Sequence, residues 1–336
     1  VKGQSAMASS KQAQGAGMDA TWLRPGTGEA FDLEKTASGL YSRFENEIAA
    51  ANTPGPPPKV SSYRVTRDVF LRVMSLVFLA SFCSLFVQIQ SFMGSGGLFP
   101  AYATVQRFSH HPFWSYPSIV GAVGTSPHTV DIWMDVMCLF GIILSAIGVI
   151  GHATFTSTGL CWLLFLSFCS VGHEALAFQW DSLLLEAGFL AALWAPMCSK
   201  PNKRGTPSFI PLILLRFLLF KFLLMSGVAK LEDADGSWHN LKALKQSFNI
   251  GGIPTPVTWY LYNLPDGLLQ FAAGAVLVLE VLCSFLVLSP FRIIRHGVAV
   301  LVVIFQIPAL LSSNCGVFHL LLLALAATLV DDTAWG

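Results

Sequence analysis

The strongest constraint on this chain is a succession of long apolar segments that recur from residue 68 almost to its end. Only 12% of its 336 residues are charged, whereas an ordinary globular domain carries about 25%. An apolar helix of about 20 residues spans the hydrocarbon layer of a bilayer. The chain is therefore predicted to be an all-α, polytopic transmembrane helix bundle of about eight spans. The eight segments lie near residues 68–90, 130–150, 159–173, 181–197, 209–228, 267–289, 295–311 and 315–330.

A polar arm precedes the first apolar segment. Residues 1–62 are rich in Ala, Gly and Ser and end in the Pro-rich stretch 54–58, a stiff extended spacer. Such a composition cannot bury a core of its own, so we expect an extended arm that docks on another protein. The predicted division is this arm, a transmembrane domain at 63–332 and a short tail at 333–336. A net charge of +1 supplies no concentrated basic face, so no nucleic-acid partner is expected.

Basic residues predict which ends of the segments share one side of the membrane. Lys and Arg in short loops are retained on the cytoplasmic side or its organellar equivalent. With eight crossings, the basic groups before the first span, after the fourth and after the sixth all fall on one side. The N-terminus is therefore predicted to face the cytoplasm, stroma or matrix. The residues concerned are Lys59, Arg64, Arg67, Lys200, Lys203, Arg204, Arg292 and Arg295.

Several ionisable and polar side chains fall at presumed membrane depth. In a helix, Gln179, Ser182 and Glu186 share one face. Because a charge in hydrocarbon is tolerated mainly when it faces protein or a cavity, Glu186 is predicted to point inward, towards a partner. Glu186 or Glu280 could pair with Arg216 or Lys221, and structural pairs are favoured over a reactive site. The predicted buried charge and polar network consists of Gln179, Asp181, Ser182, Glu186, Arg216, Lys221 and Glu280.

Aromatic residues mark the connections between the segments. Trp and Tyr favour the headgroup layer, where one end of the side chain is apolar and the other is wet. Trp114 lies in the connection 91–129, and Trp238, Trp259 and Tyr260 lie in the connection 229–266. These four side chains are predicted to lie at the membrane interface.

Motifs in a fixed order resemble the lipase maturation factor family. The longest is the stretch Gln-Trp-Asp-Ser-Leu-Leu-Leu-Glu-Ala-Gly at 179–188. The others are residues 70–72, 94–101, 216–221, 226–231 with Trp238, Asn314 and the pair Asp331-Asp332. The resemblance covers about residues 68–332, which is the family's membrane half. It implies a multi-pass protein of the endoplasmic reticulum that assists the folding of secreted lipases. The family's usual Asn is replaced here by His319.

Lys230 is the one candidate for a catalytic residue. It follows Ser226-Gly227 and precedes Trp238, an arrangement similar to one in the vitamin K-dependent carboxylase superfamily. A partly desolvated lysine could act as a base. The alternative is a lysine at a helix end that snorkels to the interface, and this interpretation is favoured because the shared pattern is short.

No cofactor is predicted, although a bound lipid or pigment would be compatible with the apolar spans. The candidate metal ligands are the adjacent pair His110-His111 and His173, beside Glu174, which could also bind a pigment. Adjacent histidines rarely form a ligand set without further ligands nearby, and a satisfied interfacial histidine is favoured at His173. The seven cysteines lie in or beside apolar segments without a CxxC pair, so they are interpreted as small buried hydrophobes.

Three functional hypotheses remain from the sequence. The first is a non-catalytic maturation factor of the endoplasmic reticulum, with a client lipase and membrane lipids as partners. The second is a scaffold subunit of a large complex in the thylakoid or mitochondrial inner membrane, with neighbouring subunits as partners, suggested because the family's soluble half is not seen. The third is a carboxylase-like enzyme that uses Lys230.

Overall fold

A computed structural model describes residues 62–108, 110, 117–123, 126–199, 205–250, 255–313 and 315–335. These residues form helices and connecting turns with no strand among them, which confirms the all-α prediction. Apart from Ser62, the N-terminal arm lies outside the described residues. The helices are α1 (Arg64–Phe92), α2 (Ala101–Phe108), α3 (Ile119–Val123), α4 (Pro127–Ile147), α5 (Phe155–Gly172), α6 (Gln179–Trp194), α7 (Phe209–Leu231), α8 (Ala243–Ile250), α9 (Pro256–Tyr262), α10 (Asp266–Leu277), α11 (Cys283–Leu286), α12 (Arg292–Ser312) and α13 (Phe318–Ala327).

Two of the long helices contain a wider π turn. The π turn Gly148–His152 continues α4, and the π segment Val278–Leu282 joins α10 to α11. Within the described ranges, six continuous helices are long and apolar enough to cross a membrane, namely α1, α4 with its π turn, α5, α7, α10 to α11, and α12. The chain is thus an integral membrane protein with several spans.

The other two predicted segments form shorter helices. The fourth is α6, with 16 residues, and the eighth is α13, with 10. Pro196 follows α6 closely, and a residue just before proline is disfavoured in a helix. Gly316, with φ of 55°, forms the turn that precedes α13.

Helix α1 lies at the centre of the bundle and packs against α4, α6 and α13. Its Phe78 and Phe82 are fully buried, and their rings lie 6.3 Å and 6.1 Å from the ring of Phe165 on α5. A methyl group on Gly188 of α6 would come within 2.7 Å of the Phe78 ring. The glycine of the 179–188 motif therefore lets α6 approach the aromatic core.

Two of the described basic residues, Arg67 and Arg295, lie at one end of the bundle. The Arg67 guanidinium of α1 donates to the Gly205 carbonyl, 3.1 Å away, just before α7. Arg295 in the first turns of α12 donates to the Tyr63 hydroxyl at 3.3 Å. Lys59, Lys200, Lys203 and Arg204 lie outside the described residues.

The pair Asp331-Asp332 connects the end of α13 to the start of α1. The Asp332 carboxylate accepts hydrogen bonds from the backbone N–H groups of Arg64, at 2.7 Å, and Thr66, at 3.0 Å. Partial burial disfavours the charged form, but hydrogen bonds from Ser62, Thr66 and Arg64 outweigh it and lower the pKa of Asp332. This carboxylate therefore caps the first turn of α1, where negative charge also suits the helix dipole.

Replacement of Asp332 by alanine is expected to lower the free energy of unfolding by about 1 kcal/mol at pH 7. Because the folded-state pKa is below the unfolded one, this contribution is complete above the unfolded value of about 4 and is lost as pH falls through the folded value. Thermal unfolding of the purified protein in detergent, followed at pH 7 and at lower pH, measures both effects. The control Asp332→Asn retains one acceptor oxygen but should lose the pH dependence; equal melting of wild type and Asp332→Ala at pH 7 would refute the cap.

Candidate functional site

A cleft of about 450 Å³ opens beside the C-terminal end of α7. Its α7 side is a helical stripe that changes from apolar at Phe222 and Met225 to polar at Ser226 and Lys230. Gln179, the first residue of α6, lies on the same cleft. The full lining is Gln179, Phe222, Met225, Ser226, Ala229, Lys230, Asp233 and Trp238. Motifs that are about 50 residues apart in sequence thus meet at one site.

An ion pair forms one side of this site. The Lys230 ammonium donates to both carboxylate oxygens of Glu280, at 2.8 Å and 2.6 Å, and to the Ser226 hydroxyl at 2.7 Å. The Ser226 hydroxyl in turn contacts Glu280 at 3.3 Å. The Lys230 and Glu280 side chains are 21% and 12% exposed. A pair removed from water to this extent is strongly sensitive to the loss of either partner.

Trp238 covers the ammonium group from the other side. The Lys230 Nζ lies 5.2 Å from the centroid of the Trp238 ring, a cation–π distance. The turn that carries Trp238 is ordered by Asp233, whose carboxylate accepts from the Ser237 hydroxyl at 2.8 Å and the Ser237 N–H at 3.0 Å. The hydrogen bond from the Ser237 hydroxyl is the main reason that the pKa of Asp233 is lowered.

The π segment determines how Glu280 reaches Lys230. Such a turn adds one residue to the helix and changes which side chains face the neighbouring helix. Gly227 lies opposite it, and a methyl group there would come within 2.7 Å of Val281 Cγ2 and 3.1 Å of the Glu280 backbone. The absence of a side chain at Gly227 therefore allows α7 to approach the π segment closely enough for the ion pair to form.

A second ion pair joins α6 and α7. The Lys221 ammonium donates to both oxygens of Glu186, at 2.9 Å and 2.8 Å. The Lys221 and Glu186 side chains are 50% and 49% exposed. The prediction that Glu186 faces the interior of the bundle was therefore wrong, although Lys221 was among its named candidate partners. A charged side chain at the bilayer centre costs about 2.5 to 3.5 kcal/mol on insertion scales.

The predicted seven-residue network is not a single buried cluster. Arg216 is buried, and its Nε and Nη2 donate to the Thr328 carbonyl at 3.0 Å and 2.8 Å, not to a glutamate. Asp181 is buried at the start of α6 and accepts from the Phe178 N–H at 3.3 Å. Gln179 and Ser182 are exposed. The network divides because these side chains lie on different faces and ends of their helices.

Lys230 does not adopt the snorkelling arrangement that was favoured from the sequence. A snorkelling lysine extends its ammonium into water, whereas this one points into the protein and contacts Glu280. Three acceptors and one aromatic ring surround the Lys230 nitrogen, and its role as a base stays a prediction. Sequence reasoning missed the partnership with Glu280 and the role of Asp233. The spacing of Ser226 and Lys230, one helical turn apart, is the one signal that indicated a shared face.

The remaining predicted residues have separate locations. Trp259 and Tyr260 on α9 are 65% and 68% exposed, and their location at the membrane interface stays a prediction. Trp238 lines the cleft. Trp114 and the side chain of His173 lie outside the described part of the chain. Among the side chains that are described, no group of three or more His, Cys, Asp or Glu could bind a metal ion.

These features define a multi-pass α-helical membrane protein with a charged cleft at the end of one span. Residues 65–336 match the family described as the lipase maturation factor transmembrane domain. The chain belongs to the lipase maturation factor family.

Curated relatives give the same assignment. The chain is 33% identical to lipase maturation factor 2 of Xenopus laevis over 286 residues, which cover 81% of this chain and 40% of that protein. It is 32% identical to lipase maturation factor 2 of Rattus norvegicus over 292 residues, 81% of this chain and 41% of that protein. It is 28% identical to human lipase maturation factor 1 over 324 residues, 91% of this chain and 56% of that protein. The chain thus spans about 40% of the length of the first relatives, and no solved structure matches it.

Proposed function

We propose that this protein assists the maturation of client lipases in the endoplasmic reticulum membrane, by binding and without covalent catalysis. The relatives are named lipase maturation factors, and family membership over 65–336 supports a related role here. The observation that carries the proposal is the cleft at which Gln179, Lys230 and Trp238 meet. Two separate motifs of the family resemblance supply its polar wall.

The contacts at Lys230 support a structural role for this side chain in the cleft wall. Its ammonium donates to three oxygens, all of them on Ser226 and Glu280, and these hydrogen bonds fix its position. The rest of the wall is open to a ligand. It combines the Gln179 amide, the Trp238 ring and the apolar side chains of Phe222 and Met225. This combination suits non-covalent recognition of an amphipathic segment or lipid.

The proposal is tested by complementation of cells that lack their own lipase maturation factors and express a secreted lipase. The protein is expressed from its full coding sequence, and lipase activity in the medium is divided by the amount of secreted lipase. We expect this ratio to rise above that of cells with an empty vector. Fractionation of the same cells should place the protein with endoplasmic-reticulum markers. An unchanged ratio despite normal expression there would contradict the proposed role.

A matched pair of tryptophan variants tests whether the cleft takes part. Trp238→Ala removes a side chain that lines the cleft, whereas Trp259→Ala removes one that is 65% exposed on α9. We expect Trp238→Ala to reduce the ratio at equal expression and Trp259→Ala to leave it near that of wild type. Equal effects of the two substitutions would show that the cleft is not the site used.

A further inference from the structure

The surface between α6 and α7 carries two charged side chains near the middle of these helices. Glu186 lies near the middle of α6 and Lys221 near the middle of α7, and both side chains are half exposed. Ser182, one helical turn from Glu186, extends the same polar stripe along α6 and is exposed as well. The 179–188 motif therefore directs its polar face away from the described bundle.

Apolar side chains surround this ion pair on the same surface. Phe189 of α6 and Phe217 of α7 are 46% and 50% exposed. Leu193 and Leu214 are also exposed, and each lies two helical turns from Glu186 or Lys221 on the same helix face. Nothing in the described part of the chain covers this ion pair, whereas ionisable residues within spans normally face protein or a water-filled cavity. The surface has the composition of a helix interface with a polar centre.

We propose that a second copy of this chain covers the surface between α6 and α7. Glu186 and Lys221 are hydrogen bonded, so they lie at the same depth in the membrane. If two copies are related by a two-fold axis along the membrane normal, every side chain keeps its depth in the membrane. Lys221 of each copy then lies at the same depth as Glu186 of the other copy. The surface carries one positive and one negative charge, so it is complementary to itself under that symmetry. The four side chains then form a closed, neutral cluster from which lipid is excluded.

Thiol cross-linking in native membranes tests the contact directly. Ser182 lies one helical turn from Glu186 on the proposed interface, whereas Val300 is 58% exposed on α12. We expect Ser182→Cys to give a cross-linked dimer in excess of the wild-type background from native cysteines. Val300→Cys should give no such excess. Cross-linking of Ser182→Cys to a different protein, or equal yields at the two positions, would overturn the proposal.

Charge variants identify the partner as a second copy. Glu186→Lys makes the surface wholly positive and Lys221→Glu makes it wholly negative, so each variant alone should lose at least about tenfold in self-association. Co-expression of the two variants should restore dimers that contain one of each, which also shows that both fold. The double exchange Glu186→Lys with Lys221→Glu preserves complementarity and should dimerise like wild type.

The readout is the number of photobleaching steps per particle, with the protein extracted in lipid nanodiscs without detergent. Two steps are expected for wild type and for the double exchange. Single steps for wild type would overturn the proposal. So would dimers of equal strength in all variants, because the charges would then play no part in the contact.

Discussion

Replacement of Glu280 by alanine is expected to lower the free energy of unfolding by about 3 kcal/mol, since it leaves the Lys230 ammonium without its carboxylate in a largely buried site. This value is the lower end of the usual cost of removing one partner from a buried ion pair, and it applies because the Lys230 side chain remains 21% exposed. Lys230→Ala should cost less, since Ser226 can still donate to the Glu280 carboxylate. Reversible unfolding in mixed micelles, followed by tryptophan fluorescence, measures each change.

A double-mutant cycle separates the pair from the packing around it. The cycle consists of Lys230→Met, Glu280→Leu and the two together, with apolar residues of similar size in place of each partner. The double variant should recover much of the stability lost in Glu280→Ala. The exposed pair formed by Lys245 and Asp266 provides the control, with side chains 42% and 65% exposed. Asp266→Ala should change stability little, because exposed pairs are screened by water. If Glu280→Ala and Asp266→Ala lowered the unfolding free energy equally little, the Lys230–Glu280 pair would contribute no more to stability than an exposed pair.

The sequence predicts the helices of this protein better than it predicts the direction in which they face. Apolar length indicates the spans directly, because a single helix satisfies all of its backbone hydrogen bonds within itself in a bilayer. The spacing of Gln179, Ser182 and Glu186 places them on one face of α6, and the structure agrees. Whether that face points inward is not fixed by hydrophobicity, because lipid is as apolar as a protein core. The opposite face of α6 is buried because its small residues, such as Ala187 and Gly188, allow close helix contact.

The cleft depends on features that periodicity does not contain. Lys230 and Glu280 lie 50 residues apart, and their meeting requires the π segment to turn Glu280 towards α7. A regular helical pattern predicts neither the extra residue nor its position. Two of the residues involved, Ser226 and Gly227, do appear in a motif of the family resemblance. Their role becomes evident only when Glu280 is seen opposite them.

Gly227→Ala is expected to destabilise the protein even though alanine is the better helix former. The added methyl group would lie 2.7 Å from Val281 Cγ2 and 3.1 Å from the Glu280 backbone, so α7 and the π segment must separate. Overpacking of this kind costs about 1 to 3 kcal/mol. Helix propensity offsets at most about 1 kcal/mol of that cost. The separation should also weaken the hydrogen bonds between Lys230 and Glu280.

Gly297→Ala is the matched control, because a methyl group at Gly297 of α12 has no atom within 4 Å. Gly297→Ala gains the same helix propensity but causes no overpacking. The difference in unfolding free energy between the two variants therefore measures the effect of the close helix contact at Gly227. We expect that difference to be about 1 to 3 kcal/mol, with Gly227→Ala the less stable. The coupling energy between Lys230 and Glu280, measured again in the Gly227→Ala background, should shrink. An unchanged coupling would show that the ion pair does not depend on the helix contact that Gly227 permits.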